Sequence, residues 1–315
     1  MKYYIASGYG DGVHADIVLF MVNDLGKIEI VDETVQGNNP SFLCRMGNYI
    51  YVASEQQENA TVTAYQIQGN KLKRYSSLKF NGKGLCHLSV MGEYLFASCY
   101  SSGELFILNA DLSKVTRCYK GSKKSHIHWS VPWNSEILYA TDLGEDQILK
   151  FQKKSGALDF CQLSFEKISL KSNSGPRQIL FSENNDLAMI INELDSSVSF
   201  GVGLNWYNNL CNVNATEKHM AVENYPGGGC LNAKGQLFLS NRGENTIALI
   251  EKDHKLAGEW DCHGNWPRYL LFSEPDMLFA ACEKSNTINK FWWSGNELKF
   301  EESFTLYGAS CIIEL

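Results

Sequence analysis

The sequence lacks several patterns that would assign a function directly. No two of its ten cysteines form a C-x-x-C pair, so a zinc site is not indicated. No run of Lys and Arg exceeds two residues and the formal net charge is −7, which argues against nucleic acid or an anionic membrane as a partner. The G-x-S-x-G motif is also absent, which disfavours a covalent acyl-enzyme mechanism.

Two further absences concern location. No stretch approaches 18 consecutive apolar residues, and the first residues lack the basic start and apolar region of a secretory signal. Cys86, Cys230 and Cys311 fall in predicted strands, where reduced thiols pack well as small apolar groups. We therefore expect a cytoplasmic protein that uses neither a metal nor another cofactor. The sequence does not indicate an oligomeric state.

Seven apolar runs recur along the chain at intervals typical of a β-propeller. Each ends in a small or short polar landmark residue, and the landmarks are Ser7, Ser54, Ser98, Thr141, Asn192, Asn241 and Cys282. Successive landmarks are separated by 47, 44, 43, 51, 49 and 41 residues, close to the ~40–50 residues of a four-stranded blade. The spacing predicts an all-β, seven-bladed β-propeller that spans residues 1–315 as a single domain.

The segments around these runs complete the pattern of a blade. A turn with Gly or Pro precedes a short first strand, as in NPSFL at 39–43, GPRQILF at 175–181 and GGGCLNA at 227–233. A polar turn, the apolar run as second strand and a third strand such as TVTAYQI follow. The chain starts on a second strand near Tyr3 and ends on an extra first strand near Ala309. We therefore expect both ends to share one blade and close the ring.

Candidate functional residues follow from this cycle, because the first strands of a propeller line its central channel. First strands supply His87, His126, His128, Arg177, Gln178, Arg268 and Tyr269; residues just after the second strands add Glu55, Asp142, Glu193, Arg242 and Glu283. Buried charges are costly unless they pair or hold a ligand. One interpretation is structural: Arg177 and Arg242 bridge to carboxylates such as Glu193. The other is a ligand site at one end of the channel.

The motifs that contain these residues resemble one known family. HIHW, DLGEDQI, GPRQ, INELDSSV, SNRGENTIA and GNWPR, with NPSFL and ASCYSSGELFIL, are similar to the seven-bladed lactonases, which include bacterial propeller-type 6-phosphogluconolactonase and fungal carboxy-cis,cis-muconate cyclase. The resemblance implies a catalytic set of His128, Arg177, Glu193 and Arg242. We expect substrate-binding residues among the other side chains of the first strands, namely His126, Gln178, Arg268 and His87. The family usually has His after Gly-Pro-Arg, whereas this chain has Gln178.

The resemblance implies hydrolysis of an anionic sugar lactone, with 6-phosphogluconolactone of the pentose phosphate route as a plausible substrate. His128 or Glu193 would take a proton from water, and Arg177 or Arg242 would stabilise the oxyanion. Three alternatives stay open. The chain would otherwise be a muconate-type cyclase, a non-catalytic binding scaffold, or a calcium-dependent lactonase with Glu55, Asp142, Asn192 and Asn241 as ligands.

Overall fold

Seven four-stranded antiparallel sheets form the blades of a β-propeller, which confirms the predicted fold. The computed structural model describes residues 1–154, 163–203, 205–217 and 223–315. The strands of blades 1 to 4 are β1 (Lys2–Gly8), β2 (Ile17–Val22), β3 (Ile28–Thr34); β4 (Pro40–Met46), β5 (Tyr49–Ser54), β6 (Thr61–Gln68), β7 (Lys71–Lys79); β8 (Leu85–Met91), β9 (Tyr94–Cys99), β10 (Glu104–Asn109), β11 (Val115–Lys120); β12 (Ile127–Pro132), β13 (Ile137–Asp142), β14 (Gln147–Lys153) and β15 (Leu163–Ser169).

The remaining strands build blades 5 to 7 and complete blade 1. They are β16 (Pro176–Phe181), β17 (Leu187–Asn192), β18 (Ser197–Val202), β19 (Cys211–Asn214); β20 (Tyr225–Leu231), β21 (Leu237–Arg242), β22 (Thr246–Ile250), β23 (Leu256–Asp261); β24 (Pro267–Ser273), β25 (Met277–Cys282), β26 (Thr287–Trp293), β27 (Leu298–Thr305) and β28 (Ala309–Glu314). Two short 3-10 helices lie at Leu143–Glu145 and Trp206–Asn208. No helix in the described ranges has the length and apolar character needed to cross a membrane.

The two ends of the chain close the ring in blade 1. Strand β28 pairs antiparallel with β1, and the sheet order is β28, β1, β2, β3. The amide of Leu315 extends this pairing by donating to the carbonyl of Tyr3 at 3.0 Å. The last strand therefore takes the innermost position of the first blade, as the sequence predicts.

The burial of the second strand of each blade explains why its apolar run is continuous rather than alternating with polar residues. Strands β17 and β25, for example, are buried along nearly their whole length. A blade packs against a neighbour on both faces, so both faces of its inner strands need apolar side chains. The apolar clusters accordingly lie between adjacent blades.

The fourth strands form the outer edges and have a different composition. Strand β7 has the sequence KLKRYSSLK, and β27 has LKFEESFT. Both are mostly exposed and carry charged side chains, which discourages edge-to-edge pairing with other chains.

Asn and Asp side chains fix several of the innermost strands to the preceding blade. Asp146 lies just before β14 and accepts hydrogen bonds from the amides of Asn173 (2.7 Å) and Gly175 (2.8 Å), at the entrance to β16. Asn245 accepts from the amide of Trp266 (2.7 Å), and Asn286 from that of Gly308 (2.8 Å), at the equivalent places in later blades. Asp146, Asn245 and Asn286 all have positive φ, which Asn and Asp tolerate best after glycine. These contacts hold the ends of the inner strands that face the candidate site.

The bounds of the predicted first strands differ from the structure by one to three residues. The glycine-rich strand predicted at 227–233 begins two residues earlier, at Tyr225. Tyr225 and Pro226 pair with Arg242 and Asn241 before the backbone bulges at the glycines. Because of this bulge, a sequence pattern that begins at the glycines does not indicate the pairing of Tyr225 and Pro226.

Candidate active site

The innermost strand of each blade, which is the first strand of the predicted cycle, carries a β-bulge at the same level of the channel. In β16, Pro176 pairs with Asn192 and Gln178 with Ile191, so that Arg177 between them has no opposite residue. The other six inner strands repeat this irregularity. The seven bulged positions are Ser41, Cys86, His128, Arg177, Gly227 with Gly228, Arg268 and Ser310. A bulge redirects a side chain and is common beside functional sites.

The bulged residues together line one cavity on the axis of the ring. Its lining consists of all seven bulged positions plus Phe42, Trp129, Gln178 and Tyr269. The cavity therefore lies where all seven blades meet. We call this cavity, together with the end of the channel at which the second strands end, the mouth.

The residues that follow the second strands surround the mouth. This position is occupied by Tyr9, Glu55, Tyr100, Leu143, Glu193, Arg242 and Glu283. Each directly follows the last residue of a second strand or, for Arg242, ends it. The mouth thus combines two layers of side chains, one from the bulges and one from the second-strand ends.

Arg177, Glu193 and Arg242 form one ion-pair cluster, which we call the basic half of the mouth. One carboxylate oxygen of Glu193, Oε2, lies 2.6 Å from Nη1 of Arg177 and 2.9 Å from Nη2 of Arg242. The side chains of the two arginines are only 8% and 5% exposed. Two guanidiniums share one carboxylate, which leaves this half with a formal charge of +1.

The environment keeps both Glu193 and Arg242 ionised at neutral pH. Burial alone would raise the pKa of Glu193, but the charges and hydrogen bonds of Arg177 and Arg242 outweigh it and lower the pKa to about 2. Burial and the nearby Arg177 lower the pKa of Arg242 to about 9. Glu193 is consequently a weak base, because a proton would have to displace two guanidiniums.

Backbone carbonyls fix the orientation of both arginines. Nε of Arg177 donates to the carbonyl of Gly227 at 3.0 Å. Arg242 donates from Nε to Tyr225 (2.9 Å) and from Nη2 to Pro226 (3.1 Å). Nη2 of Arg177 and Nη1 of Arg242 have no acceptor among the described residues. The guanidiniums are rigidly held and retain N–H groups for a ligand.

His128 lines the cavity as a neutral, incompletely satisfied side chain. It is 6% exposed, and its Nδ1 has no hydrogen-bond partner in the described part of the chain. Burial, followed by the positive charges of Arg177, Arg268 and Arg242, holds the pKa of His128 well below its usual value of 6.5. A buried polar atom without a partner is uncommon and indicates a place for water or ligand.

Strand β20 leaves the space between Arg177 and Arg268 free of side chains. A Cβ at Gly227 would lie 2.7 Å from Oγ of Ser240 and 2.8 Å from the carbonyl of Pro267. Only glycine fits this close approach of β20 to β24. The glycines therefore bring the strands together and also leave room in the cavity.

Arg268, Glu55, Glu283 and Tyr9 form a second cluster, which we call the acidic half of the mouth. Nη1 of Arg268 lies 3.3 Å from Oε2 of Glu283, and Nη2 lies 3.7 Å from Oε2 of Glu55. The Tyr9 hydroxyl donates to the same Glu55 oxygen at 2.6 Å, and its ring lies 5.2 Å from the guanidinium. Here two carboxylates share one guanidinium, which leaves a formal charge of −1.

Below the cavity, aromatic rings fill the channel. His87 lies in this layer, 3.6 Å from the Trp129 ring and 4.5 Å from the Phe42 ring. It is 3% exposed, and burial holds its pKa well below 6.5. His87, one of the predicted substrate-binding residues, therefore lies beneath the residues that line the cavity rather than among them.

The other two predicted binding residues make local contacts. Gln178 lines the cavity, but its amide exchanges hydrogen bonds with the backbone of Gly229 at 2.8 and 3.2 Å. The ring of His126 stacks on Tyr100 at 4.4 Å, and its Nδ1 lies 2.9 Å from the Tyr100 carbonyl. A carbonyl accepts only, so Nδ1 carries the proton.

The four residues considered as calcium ligands have other partners. Asp142 accepts from the His126 amide (2.8 Å) and from Gln147 (3.0 Å). Asn192 donates to Ser197 and Ser199, Asn241 donates to the Ala215 carbonyl, and Glu55 belongs to the acidic half. In the described ranges, no cluster of three or more His, Cys, Asp and Glu side chains has a geometry suited to a metal.

Tyr9, Tyr100 and Ser41 are residues of the mouth that the sequence reasoning missed. Tyr9 and Tyr100 directly follow second strands, the same place in the cycle that identified Glu55 and Glu193. They were overlooked because only charged residues were considered there. Proline provides a signal for the bulges, since Pro40, Pro176, Pro226 and Pro267 each precede a bulged residue, as expected for a residue that lacks a ladder donor.

Two of the larger depressions on the molecule lie away from the mouth. One is an apolar groove by the outer strands β11 and β15, lined by residues such as Phe151 and Phe165. The other is an open cleft near Ser182 and Lys252, by turns of blades 5 and 6. Neither contains an ion-paired cluster like those of the mouth, which is therefore the better candidate for chemistry.

Comparison with known proteins identifies relatives of this chain. A family model described as a seven-bladed β-propeller lactonase matches residues 3–305. A 6-phosphogluconolactonase of Formosa agariphila is 28% identical over 313 residues, which cover 89% of this chain and 87% of that protein.

Solved structures show the same fold. A Bacteroides fragilis protein superposes with a TM-score of 0.89 at 21% identity and covers 100% of this chain and 98% of its own. The periplasmic gluconolactonase of Pseudomonas aeruginosa superposes with a TM-score of 0.88 at 18% identity, with 100% and 99% covered.

Proposed function

Because this chain belongs to the lactonase family of seven-bladed β-propellers, we propose that it hydrolyses an anionic sugar lactone at the mouth, with 6-phosphogluconolactone as substrate. One observation carries the proposal: the buried, neutral His128 and the fixed guanidinium of Arg177 line one cavity, and a shared carboxylate holds the guanidinium of Arg242 next to Arg177. These are the groups that water attack on an ester carbonyl requires.

His128 is the proposed general base. Its neutral ring accepts a proton as water attacks the lactone carbonyl carbon, and the same proton then passes to the ring oxygen when the carbon–oxygen bond breaks. Glu193 is less suited to this role, because its pKa is about 2. We assign Glu193 to positioning: it fixes both guanidiniums by ion pairs.

Arg177 and Arg242 are the proposed oxyanion stabilisers. Their unoccupied N–H groups face developing negative charge in a largely desolvated site, where such contacts are strong. The same charge favours the carboxylate product, so the basic half also sets the orientation in which the substrate binds.

Lys284 is the proposed contact for the phosphate. The Trp266 ring lies 3.2 Å from Nζ of Lys284 and 5.6 Å from the Arg242 guanidinium, so Lys284 lies next to the basic half. No carboxylate among the described residues lies within ion-pair distance of it. Its ammonium is therefore available to a phosphate at the rim of the mouth.

The test is a hydrolysis assay with purified protein on 6-phosphogluconolactone, gluconolactone and unsubstituted lactones, with and without a chelator. We expect turnover of 6-phosphogluconolactone, no effect of the chelator, and a loss of about tenfold in kcat/KM for Lys284→Ala on the phosphorylated substrate alone. The matched control is Lys255→Ala, whose exposed side chain pairs with Asp253. Failure to hydrolyse any lactone would refute the proposal, and conversion of a muconate instead would favour the cyclase alternative.

We also propose a cytoplasmic location. The proposal is supported by the nine described cysteines, all of which are free thiols; Cys161 lies outside the described residues. Cell fractionation tests it, since recovery with periplasmic or secreted proteins would contradict it.

A further inference from the structure

We infer that the acidic half of the mouth binds hydroxyl groups of the substrate, so that Glu55 and Glu283 select a polyhydroxylated lactone over one without hydroxyls. This inference rests on the proposed lactone hydrolysis and adds the residues that would determine specificity. Four observations carry it.

The first observation is unused acceptor capacity. Glu55 and Glu283 use Oε2 for their contacts with Tyr9 and Arg268. Oε1 of each carboxylate has no donor among the described residues, and the side chains are 20% and 25% exposed. Two charged acceptor oxygens are thus accessible, and a hydroxyl donates to a carboxylate more strongly than to a neutral acceptor.

The second observation is an unpartnered hydroxyl in the same wall. Ser41 is the bulged residue of β4 and is 2% exposed, and its Oγ has no hydrogen-bond partner in the ranges described. Ser41 lines the cavity with Arg268 and Ser310. Together with Nδ1 of His128, it gives the cavity two buried polar atoms that a ligand or water would satisfy.

The third observation is the charge of the acidic half. Its net charge of −1 disfavours a second anionic group on the substrate. Its guanidinium disfavours an ammonium. A hydroxyl suits both neighbours, because it donates to a carboxylate and accepts from an N–H group.

The fourth observation is the arrangement of the two halves around one cavity, which both Arg177 and Arg268 line. A ligand whose carboxyl carbon lies at the basic half can therefore extend its chain toward Arg268. A sugar acid has hydroxyls along that chain, whereas a plain fatty acid has none.

The inference is tested by equilibrium binding of matched six-carbon acids, measured by calorimetry. Wild-type protein should bind gluconate at least about tenfold more tightly than hexanoate. Glu283→Gln and Glu55→Gln should each lower this preference about threefold or more, with hexanoate affinity unchanged or slightly higher, because a negative charge is lost. The matched control is Glu58→Gln, whose side chain is 76% exposed and which should keep the wild-type preference.

Three outcomes would overturn the inference. Equal binding of gluconate and hexanoate by wild-type protein is the first, and an unchanged preference in well-folded Glu55→Gln/Glu283→Gln protein is the second. The third is tighter binding of 6-aminohexanoate than of gluconate, since it would make the acidic half a cation site. These measurements need no turnover, so absence of lactone hydrolysis would refute the proposed function while binding still decides the role of the acidic half.

Discussion

The two halves of the mouth use the same chemical groups in opposite proportions. In the basic half, two guanidiniums lie 2.6 and 2.9 Å from one carboxylate oxygen. In the acidic half, two carboxylates lie 3.3 and 3.7 Å from one guanidinium. The first arrangement is compact and buried, while the second is looser and keeps free acceptor oxygens.

The pKa shifts of the two halves have opposite signs for the same side-chain type. Burial and Arg177 lower the pKa of Arg242. Burial also acts to lower the pKa of Arg268, but Tyr9, Glu55 and Glu283 reverse the effect and raise it. The comparison teaches that neighbours decide the charge balance around an arginine: Arg242 shares one carboxylate with Arg177, whereas Arg268 contacts two carboxylates. We therefore propose that Arg242 stabilises the oxyanion and that Arg268 positions two acceptors.

The largest expected effect follows from removing an arginine of the basic half. Arg177→Ala or Arg242→Ala should lower kcat/KM for the lactone about 100- to 1000-fold, as loss of an oxyanion donor does. Steady-state kinetics on 6-phosphogluconolactone measures this, and thermal unfolding checks that the blades persist. Arg74→Ala, on the outer strand β7, is the control. Retention of activity within a few-fold would contradict the assignment of the basic half.

The next effect concerns His128, the proposed base. His128→Asn should lower kcat about 100-fold and leave KM nearly unchanged, because the loss falls on proton transfer. Single-turnover kinetics separates this step from binding. If kcat/KM instead falls by the same factor because KM alone rises, His128 has a binding role.

Arg268→Met should have a smaller effect and a different signature. Without the guanidinium, Glu55 and Glu283 lose their fixed positions, so KM for a hydroxylated lactone should rise about tenfold while kcat changes little. The same assay with an unsubstituted lactone is the control and should show less change. A fall in kcat as large as that of Arg177→Ala would mean that the two halves do not differ in role.

The smallest effect is the pH dependence near neutrality. The pKa of His128 lies well below 6.5, so the base is unprotonated above that value and becomes protonated only as the pH falls through its lowered pKa. We therefore expect kcat to vary less than about twofold between pH 6.5 and 8 and to fall at more acidic pH. A half-maximal point near 6.5 would show that burial and the arginines do not control the histidine.

The propeller could be predicted because each blade repeats the same pattern of residue types along the sequence. The landmarks from Ser7 to Cys282 recur at blade intervals, and each apolar run reflects burial on both faces of a blade. The place of Glu193 and Arg242 at the ends of second strands also predicted that they lie at one end of the channel. The pairing of β28 with β1 could also be predicted, because the chain starts on a second strand and ends on an extra first strand.

Other features depend on three-dimensional contacts that the repeat does not encode. Whether Arg177 and Arg242 would pair with one carboxylate or with separate ones depends on distances across blades 5 and 6. Gln178 stands where the family usually has a histidine, and the sequence does not reveal that its amide is bound to the backbone of Gly229. The roles of Tyr9 and Ser41 were hidden because a tyrosine or serine in a strand-rich sequence is compositionally ordinary.

A structure of the protein with bound 6-phosphogluconate tests the central claim most directly, since this product carries a carboxylate, hydroxyls and a phosphate in fixed order. The account predicts its carboxylate within hydrogen-bond distance of Arg177 and Arg242, and at least one hydroxyl on Oε1 of Glu55 or Glu283. Binding outside the mouth, or a carboxylate placed on Arg268 with the hydroxyls toward Glu193, would contradict it.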